Sequence, residues 1–327
     1  MNIALVGTVM HDEIETVEGR RFESFGGILY NLMALSTVTT AADRVAPHGF
    51  VSAPHKDQLR REFFDRLPMV DPSRLQVNPL GTDHNVLRYV THSSRREKMT
   101  VVSPPVTREH LPAMDQFDAV LFNFISGSEM DLETFRWLRG ATKGLFYLDV
   151  HNLGKQRVDG VPVPGHRFGG WPEWFAHADI IQGNEWEAER LLDLHPKTEA
   201  DFREAALRFI RTHGPRIAIL TMGSAGAAMA WRSPEGIRYA RIPAIPNLQV
   251  LDTTGCGDCF SAGFLVEYQR TKDPLRSALF AATLSGLNCA RIGLEGLAQI
   301  TGVRETMQSE YADLLTRVDA GWAGELV

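Results

Sequence analysis

Short, uninterrupted apolar runs punctuate this chain: Ile3 to Val6, Ala119 to Phe124, Leu145 to Val150, Ile180-Ile181 and Ile217 to Met222. Runs of this kind predict strands buried on both faces, because half-exposed strands would alternate instead. Most are followed by segments with helical spacing. Glu185 to Leu192 sets Trp186, Leu191 and Leu192 among acids, and Phe202 to Ile210 brings Phe202, Ala205, Ala206, Phe209 and Ile210 to one face. Strand–helix alternation predicts an α/β fold, a parallel sheet covered by helices on both sides.

Two regions break the pattern. From Asp12 to Phe25 polar and apolar residues alternate, with many acids. Asn85 to Val102, "NVLRYVTHSSRREKMTVV", predicts two strands joined by a polar turn at His92 to Glu97. Strands this charged suit a half-exposed sheet outside the main core, either a small lid over a cleft or a plain edge hairpin. Lys155 to Pro172, rich in Gly and Pro, predicts a long ordered loop. The segment after Glu305 predicts a final helix with an exposed tail, and no repeat or low-complexity tract interrupts the chain.

Composition changes this picture mainly by exclusion. The 327 residues suffice for one large domain or two. A net charge of -6 offers no electrostatic footprint for nucleic acid or an anionic membrane. The densest basic cluster, Arg95-Arg96 with Lys98, reads as a solvated hairpin. No apolar run approaches the roughly 20 residues needed to span a bilayer. The opening MNIALVG has no cationic leader and no small-residue cleavage site, so no signal peptide is expected. Three cysteines argue against a disulfide framework. The expectation is a reduced, cytoplasmic protein.

Candidate chemistry concentrates in "DTTGCGDCF", Asp252 to Phe260. Its Cys256 and Cys259 form a C-x-x-C. A structural zinc site wants four ligands, however, and only Cys289 remains, with no H-E-x-x-H and no second C-x-x-C. A redox pair belongs near the start of a compact βαβ unit. The cysteines therefore read as small packing residues. The glycines say more. They follow a strand or loop over Ile242 to Leu251 and precede "CFSAGFLVEYQ", which predicts a buried helix. Gly255 and Gly257 permit a sharp turn that bares successive N–H groups at a helix start, where an anion is favoured. Asp258 falls in the first helical turn, which taken alone is a place for a capping carboxylate.

Asp252-Thr253-Thr254-Gly255-Cys256-Gly257-Asp258 resembles the D-T-x-G-A-G-D signature of the ribokinase-like (PfkB) carbohydrate kinases, with Cys256 replacing alanine. Other landmarks follow in family order. Gly26-Gly27 with Asn31 resembles the G-G-x-x-x-N element that lies against the sugar. Asp12 falls where the family holds substrate hydroxyls with an aspartate. Asn184-Glu185-Trp186-Glu187 resembles the N-x-x-E motif of the magnesium–phosphate site. "TMGSAG", Thr221 to Gly226, resembles the T-x-G-x-x-G turn that supports the nucleotide, and Asn288 sits near where the family closes over adenine. Each landmark also has a local reading: Gly26-Gly27 a turn, Asn31 a surface helix residue, Asp12 an acceptor for backbone N–H groups, Asn184 a helix cap, Glu187 a solvated acid, Gly223 and Gly226 a hairpin.

The resemblance implies a three-layer α/β/α sandwich with a mostly parallel central sheet and a small β-sheet lid. Residues 1–11, 26–84 and 103–327 would form the main domain and 12–25 with 85–102 the lid, through which two copies could pair. It implies an ATP-dependent kinase acting on a hydroxyl of a sugar or sugar-like molecule. The N–H groups of Gly255, Cys256 and Gly257 would form the anion hole, since no G-x-x-x-x-G-K-[ST] is present. Asp258 would be the general base, ionised with a low pKa because of the helix start. Asn184, Thr221, Gly223, Gly226 and Asn288 would surround ATP, and Asp12, Gly26, Gly27 and Asn31 the substrate. Glu187 would act on Mg2+ through water, and Asp252 with the Thr254 carbonyl would take a monovalent cation, potassium. Bulky Ile28, Leu29 and Tyr30, and a "LDVHN" that only partly matches the family's D-x-N, leave the sugar pocket open. A nucleoside kinase of the same fold and a non-catalytic ligand-binding or regulatory protein are the alternatives. The intact Asp258 and glycines argue against the second.

Overall fold

Ile3 and Leu5 enter one apolar core while Ala4 and Val6 enter another, and all four are fully buried. That alternation within one strand is the signature of a sheet covered on both faces. The computed structural model describes residues 1–91, 94–211 and 214–327. In chain order its first strands are β1 (Asn2–Gly7), β2 (Val9–Glu15), β3 (Arg21–Gly27), β4 (Arg44–Val51), β5 (Leu75–Val77), β6 (Asp83–Thr91), β7 (Ser94–Val101) and β8 (Ala119–Asn123). Then come β9 (Leu145–Asp149), β10 (Arg157–Val158), β11 (Val161–Pro162), β12 (Ile180–Asn184), β13 (Ile217–Thr221), β14 (Ala227–Ser233), β15 (Gly236–Ile242) and β16 (Glu325–Leu326).

The central sheet runs β16-β15-β14-β13-β12-β9-β8-β1-β4-β5. Every pairing from β5 to β13 is parallel, and β14, β15 and β16 extend it antiparallel. Helices Ile28–Val38, Cys256–Thr271 and Pro274–Cys289 cover one face. Helices Leu132–Ala141, Glu185–Leu192 and Glu199–Arg211 cover the other. The result is the expected α/β/α sandwich. Helix Cys256–Thr271 is buried all round from Cys259 to Glu267, as a helix without a polar stripe must be. Its Gly263 lets the neighbouring helix approach closely, since a Cβ there would lie 3.1 Å from Ala281 Cα.

A separate four-stranded sheet has the order β3-β2-β6-β7. Its hairpins β2–β3 and β6–β7 are antiparallel, and they join through a parallel β2–β6 pairing. The expected turn at His92 to Glu97 is shorter than its polarity implied, because Ser94 already belongs to β7 and Leu87 pairs with Glu97. His92 and Ser93 lie outside the described residues.

The Lys155 to Pro172 loop holds a small β10–β11 hairpin that docks on β7, Met99 N–H donating to the Gly160 carbonyl at 3.0 Å. Gly160 is required there: its φ is 79°, and a Cβ would lie 2.0 Å from the Met99 carbonyl oxygen. After Glu305 the chain forms not one helix but Val303–Glu310 and Ala312–Asp319, and the tail pairs with β15 as β16. Among the described residues no helix is long and apolar enough to cross a membrane.

Candidate active site

The parallel strands β1, β8, β9 and β12 end together, and the start of helix Cys256–Thr271 faces those ends. In open α/β sheets ligands bind outside the carboxyl ends of strands. Gly255 stands at the helix N-cap with φ 76° and no side-chain cap. A Cβ at that position would lie 2.2 Å from the Tyr30 ring, so the turn needs glycine twice over. Cys256 is the first helical residue and Asp258 the third, so Asp258 does not cap the helix. The Cys256 N–H reaches the Thr253 carbonyl at 3.3 Å.

Asp258 Oδ1 accepts a 2.8 Å hydrogen bond from Asn123 Nδ2 at the end of β8. Asn123 also donates to Asn31 Oδ1 at 3.0 Å. Asn31 in turn donates to the Asp258 carbonyl at 3.2 Å and to Ser261 Oγ at 3.0 Å, so it is a fully buried clamp on the helix start. The Asp258 carboxyl reaches the cavity but is otherwise enclosed by protein. Burial lifts its pKa to about 7, against the lowering hydrogen bonds from Asn123 and Asn31. This reverses the low pKa expected from the helix start. Beneath it Gln182 Nε2 bridges the Gly257 carbonyl at 3.0 Å and Asp149 Oδ2 at 3.1 Å, and Tyr147 OH holds Gln182 at 2.8 Å. Burial, then the charges of Asp258 and Glu187, drive the Asp149 pKa well above the carboxylate range.

A cavity of about 1190 Å³ opens between the two sheets. Asp12, Gly26, Gly27, Asp252, Thr254, Gly255 and Asp258 line it, with Asn31 directly behind. Ile28 and Leu29 turn into the core, whereas Tyr30 faces the cavity. The remaining expected residues lie outside its lining. Asn184 caps helix Glu185–Leu192 through Trp186 N–H (2.8 Å) and Glu187 N–H (3.2 Å), and Glu187 Oε2 accepts from Asn184 N–H at 2.7 Å. The N-x-x-E spacing is thus a capping box. Glu187 is buried rather than solvated, and its pKa rises to about 7 through that burial.

Thr221 to Gly226 connects antiparallel β13 and β14, with Gly223 in a single helical turn and Gly226 at φ 89°. Asn288 is buried and its amide is spent on the loop, donating to the Thr254 carbonyl at 2.9 Å and approaching Cys256 Sγ at 3.4 Å. Asp252 accepts from Thr254 N–H at 2.9 Å and Gly293 N–H at 3.3 Å. All three cysteines are free thiols, Cys259 fully buried.

The sequence reading missed Asn123, Gln182 and Asp149. Their signal was present: each is a polar residue inside or closing a buried apolar run. It also missed Lys155 and Arg157, which line the cavity from the β10–β11 segment.

The profile of the pfkB family carbohydrate kinases matches residues 167–299. A ribokinase of Arabidopsis thaliana is 34% identical over 109 residues, 32% of this chain and 28% of that protein. The Arabidopsis thaliana ribokinase structure complexed with ribose and ATP superposes with a TM-score of 0.71 at 18% identity, covering 91% of this chain and 99% of the other. A cytidine kinase of Thermococcus kodakarensis is 24% identical over 319 residues, 92% of this chain and 96% of that protein. A sulfate-complexed, pyrophosphate-dependent kinase of the ribokinase family superposes with a TM-score of 0.73 at 19% identity over 91% of this chain and 100% of its own. The segment that contains "DTTGCGD" is thus similar to the pfkB family carbohydrate kinases, and the chain as a whole has the fold of the ribokinases.

Proposed function

We propose that the protein transfers the γ-phosphoryl group of ATP to a hydroxyl of a sugar or sugar-like molecule held in the cavity between the sheets. The observation that carries this reading is Asp258: a carboxylate at a helix start, behind an αL glycine, reaching into the cavity with a pKa raised to about 7. A base poised near the working pH is what hydroxyl deprotonation asks for. The N–H groups of Gly255, Cys256 and Gly257 serve as the anion hole for charge on the transferring phosphoryl. Gly257 supports this, since a Cβ there would meet nothing nearer than Gln182 Nε2 at 3.8 Å, leaving room for a phosphate to approach the backbone. Asp12, Gly26 and Gly27 hold the acceptor, and Asn31 acts from behind the wall by clamping the helix start rather than by touching the acceptor. The Asn184, Thr221–Gly226 and Asn288 segments support the nucleotide.

Magnesium fits the electrostatics. Asp149 lies in the field of both Asp258 and Glu187, and burial first of all raises the pKa of each of the three, so a cation brought in on phosphates would be welcomed there. They do not converge into a ligand cluster, which suits an ion carried on phosphates with its water largely retained and Glu187 behind that water. When bound it neutralises phosphate charge. Potassium at Asp252 and the Thr254 carbonyl, and pairing of two copies along the open edge of β3, where Phe22 is exposed, complete the proposal.

An ADP-release screen over sugars and nucleosides tests it, with pyrophosphate replacing ATP in a parallel arm. Turnover with a sugar and ATP, abolished in Asp258→Asn, is the expected result. Ligand binding without turnover on any acceptor refutes the kinase reading.

A further inference from the structure

Lys155 and Arg157 are, among the described residues, the only lysine and arginine in a cavity wall otherwise carrying acids such as Asp12, Glu23, Asp252 and Asp258. Both converge on one carboxylate. Glu97 of β7 accepts from Lys155 Nζ at 2.5 Å and stands 3.7 Å from Arg157 Nη2. Two cations facing one anion leave an excess positive charge. It is poorly hydrated: the Arg157 side chain is only 15% exposed, and burial lowers the pKa of both cations. Glu129, which also touches the field of Arg157, is itself pushed towards its neutral form by burial.

The guanidinium is also under-used. Arg157 Nη1 donates to the Ser126 carbonyl, which fixes the head group three residues beyond Asn123, the partner of Asp258. Its Nε is buried without a hydrogen-bond partner, and its Nη2 meets Glu97 only beyond hydrogen-bond range. Nε and Nη2 form the edge of guanidinium that grips a carboxylate or phosphoryl group with two parallel bonds. Arg157 and Lys155 both line the cavity that holds Asp258.

We propose that Lys155 and Arg157 form an anion subsite for the acceptor, so that the preferred acceptor is a polyhydroxylated molecule bearing a carboxylate or phosphoryl group. Glu97, carried on the separate sheet, occupies this subsite when the acceptor is absent. An anion is repelled by the acids elsewhere in the wall, so the subsite also sets one orientation, with the hydroxyl-bearing part of the molecule directed away towards Asp258. The assignment rests on the phosphoryl-transfer reading for its substrate but not for its binding chemistry.

The test uses matched sets of a neutral aldose, its aldonic acid and its monophosphate, in five- and six-carbon series. Turnover with ATP and calorimetric binding are measured on the full chain. The acid or the phosphate should exceed the neutral aldose in kcat/KM by about tenfold or more, as expected for charge-assisted bonds, and comparing the two anions identifies the group. Arg157→Met and Lys155→Met should lower kcat/KM for the anionic acceptor about ten- to hundredfold, through KM, while neutral acceptors change by less than about twofold. Glu97→Gln should tighten anion binding, because it removes the competing carboxylate. Preference for the neutral aldose, equal losses on neutral and anionic acceptors, or Glu97→Gln weakening binding as Arg157→Met does would each overturn the subsite and leave a clip between sheet and hairpin. If nothing turns over, the kinase reading fails, and calorimetry alone decides the subsite: acid or phosphate binding that Arg157→Met and Lys155→Met weaken upholds it, and no anion binding overturns it.

Discussion

At Asp258 two effects compete, and magnitudes decide between them. The helix start favours the charged carboxylate by typically 0.3–1 kcal/mol, about 2 at most, whereas full burial shifts a pKa by up to about 3–5 units, each worth about 1.4 kcal/mol. Burial wins, and the pKa rises to about 7. In the proposed mechanism the deprotonated form would be the base, so kcat/KM should fall about tenfold per unit as pH drops below 7 and level off above it. A pH–rate profile that stays flat from pH 5 to 8 would remove Asp258 as the base. Asp258→Asn should cut kcat by about 10²–10⁴.

The same group links stability to pH. Its folded pKa lies above the unfolded value, so the folded state disfavours the charge, and the penalty is full above pH 7 and relieved as pH falls towards 4. Asp258→Asn should therefore raise the melting temperature at pH 8, and the gain should vanish near pH 4. Cys256→Ala, by contrast, should keep activity within about threefold, because the proposed anion hole would use the Cys256 backbone N–H, and the thiol makes only weak contacts with the Ser285 carbonyl and the Asn288 amide.

The elements around the site owe their positions to different forces. Helix Glu185–Leu192 is started by the Asn184–Glu187 capping box, and Asn184→Ala should cost about 1 kcal/mol in chemical denaturation. An activity loss beyond that cost would separate a role at the phosphates from a role in the helix. Helix Cys256–Thr271 is held by its apolar surface. Phe264, fully buried two turns below Asp258, should cost about 3–5 kcal/mol on truncation to alanine. Strand positions were legible because a strand buried on both faces is a local apolar run. The β10–β11 hairpin was not, because its reason is remote: Gly160 takes its conformation against the backbone of Met99.

Across the whole molecule, the cavity exists only because a charged sheet stands off from a large apolar one. β2 and β6 continue from the main body but pair with each other rather than with it. If this sheet closes on ligand, ATP with a turned-over acceptor should slow hydrogen exchange in β2, β3 and β6 relative to the central sheet. Unchanged exchange there would make it a fixed wall. The sequence by itself determined what depends on neighbours along the chain: buried parallel strands, the glycine turn before a buried helix, and the order of motifs that resembled the family. Tertiary structure alone decided what those groups experience. Asp258 is held by Asn123, 135 positions away, and its carbonyl by Asn31, 227 positions away. Glu97 meets Lys155 across 58 positions. Burial and field strength depend on distance in space, which periodicity along a chain does not encode, so the basicity of the site and the charge of its wall emerged only with the fold.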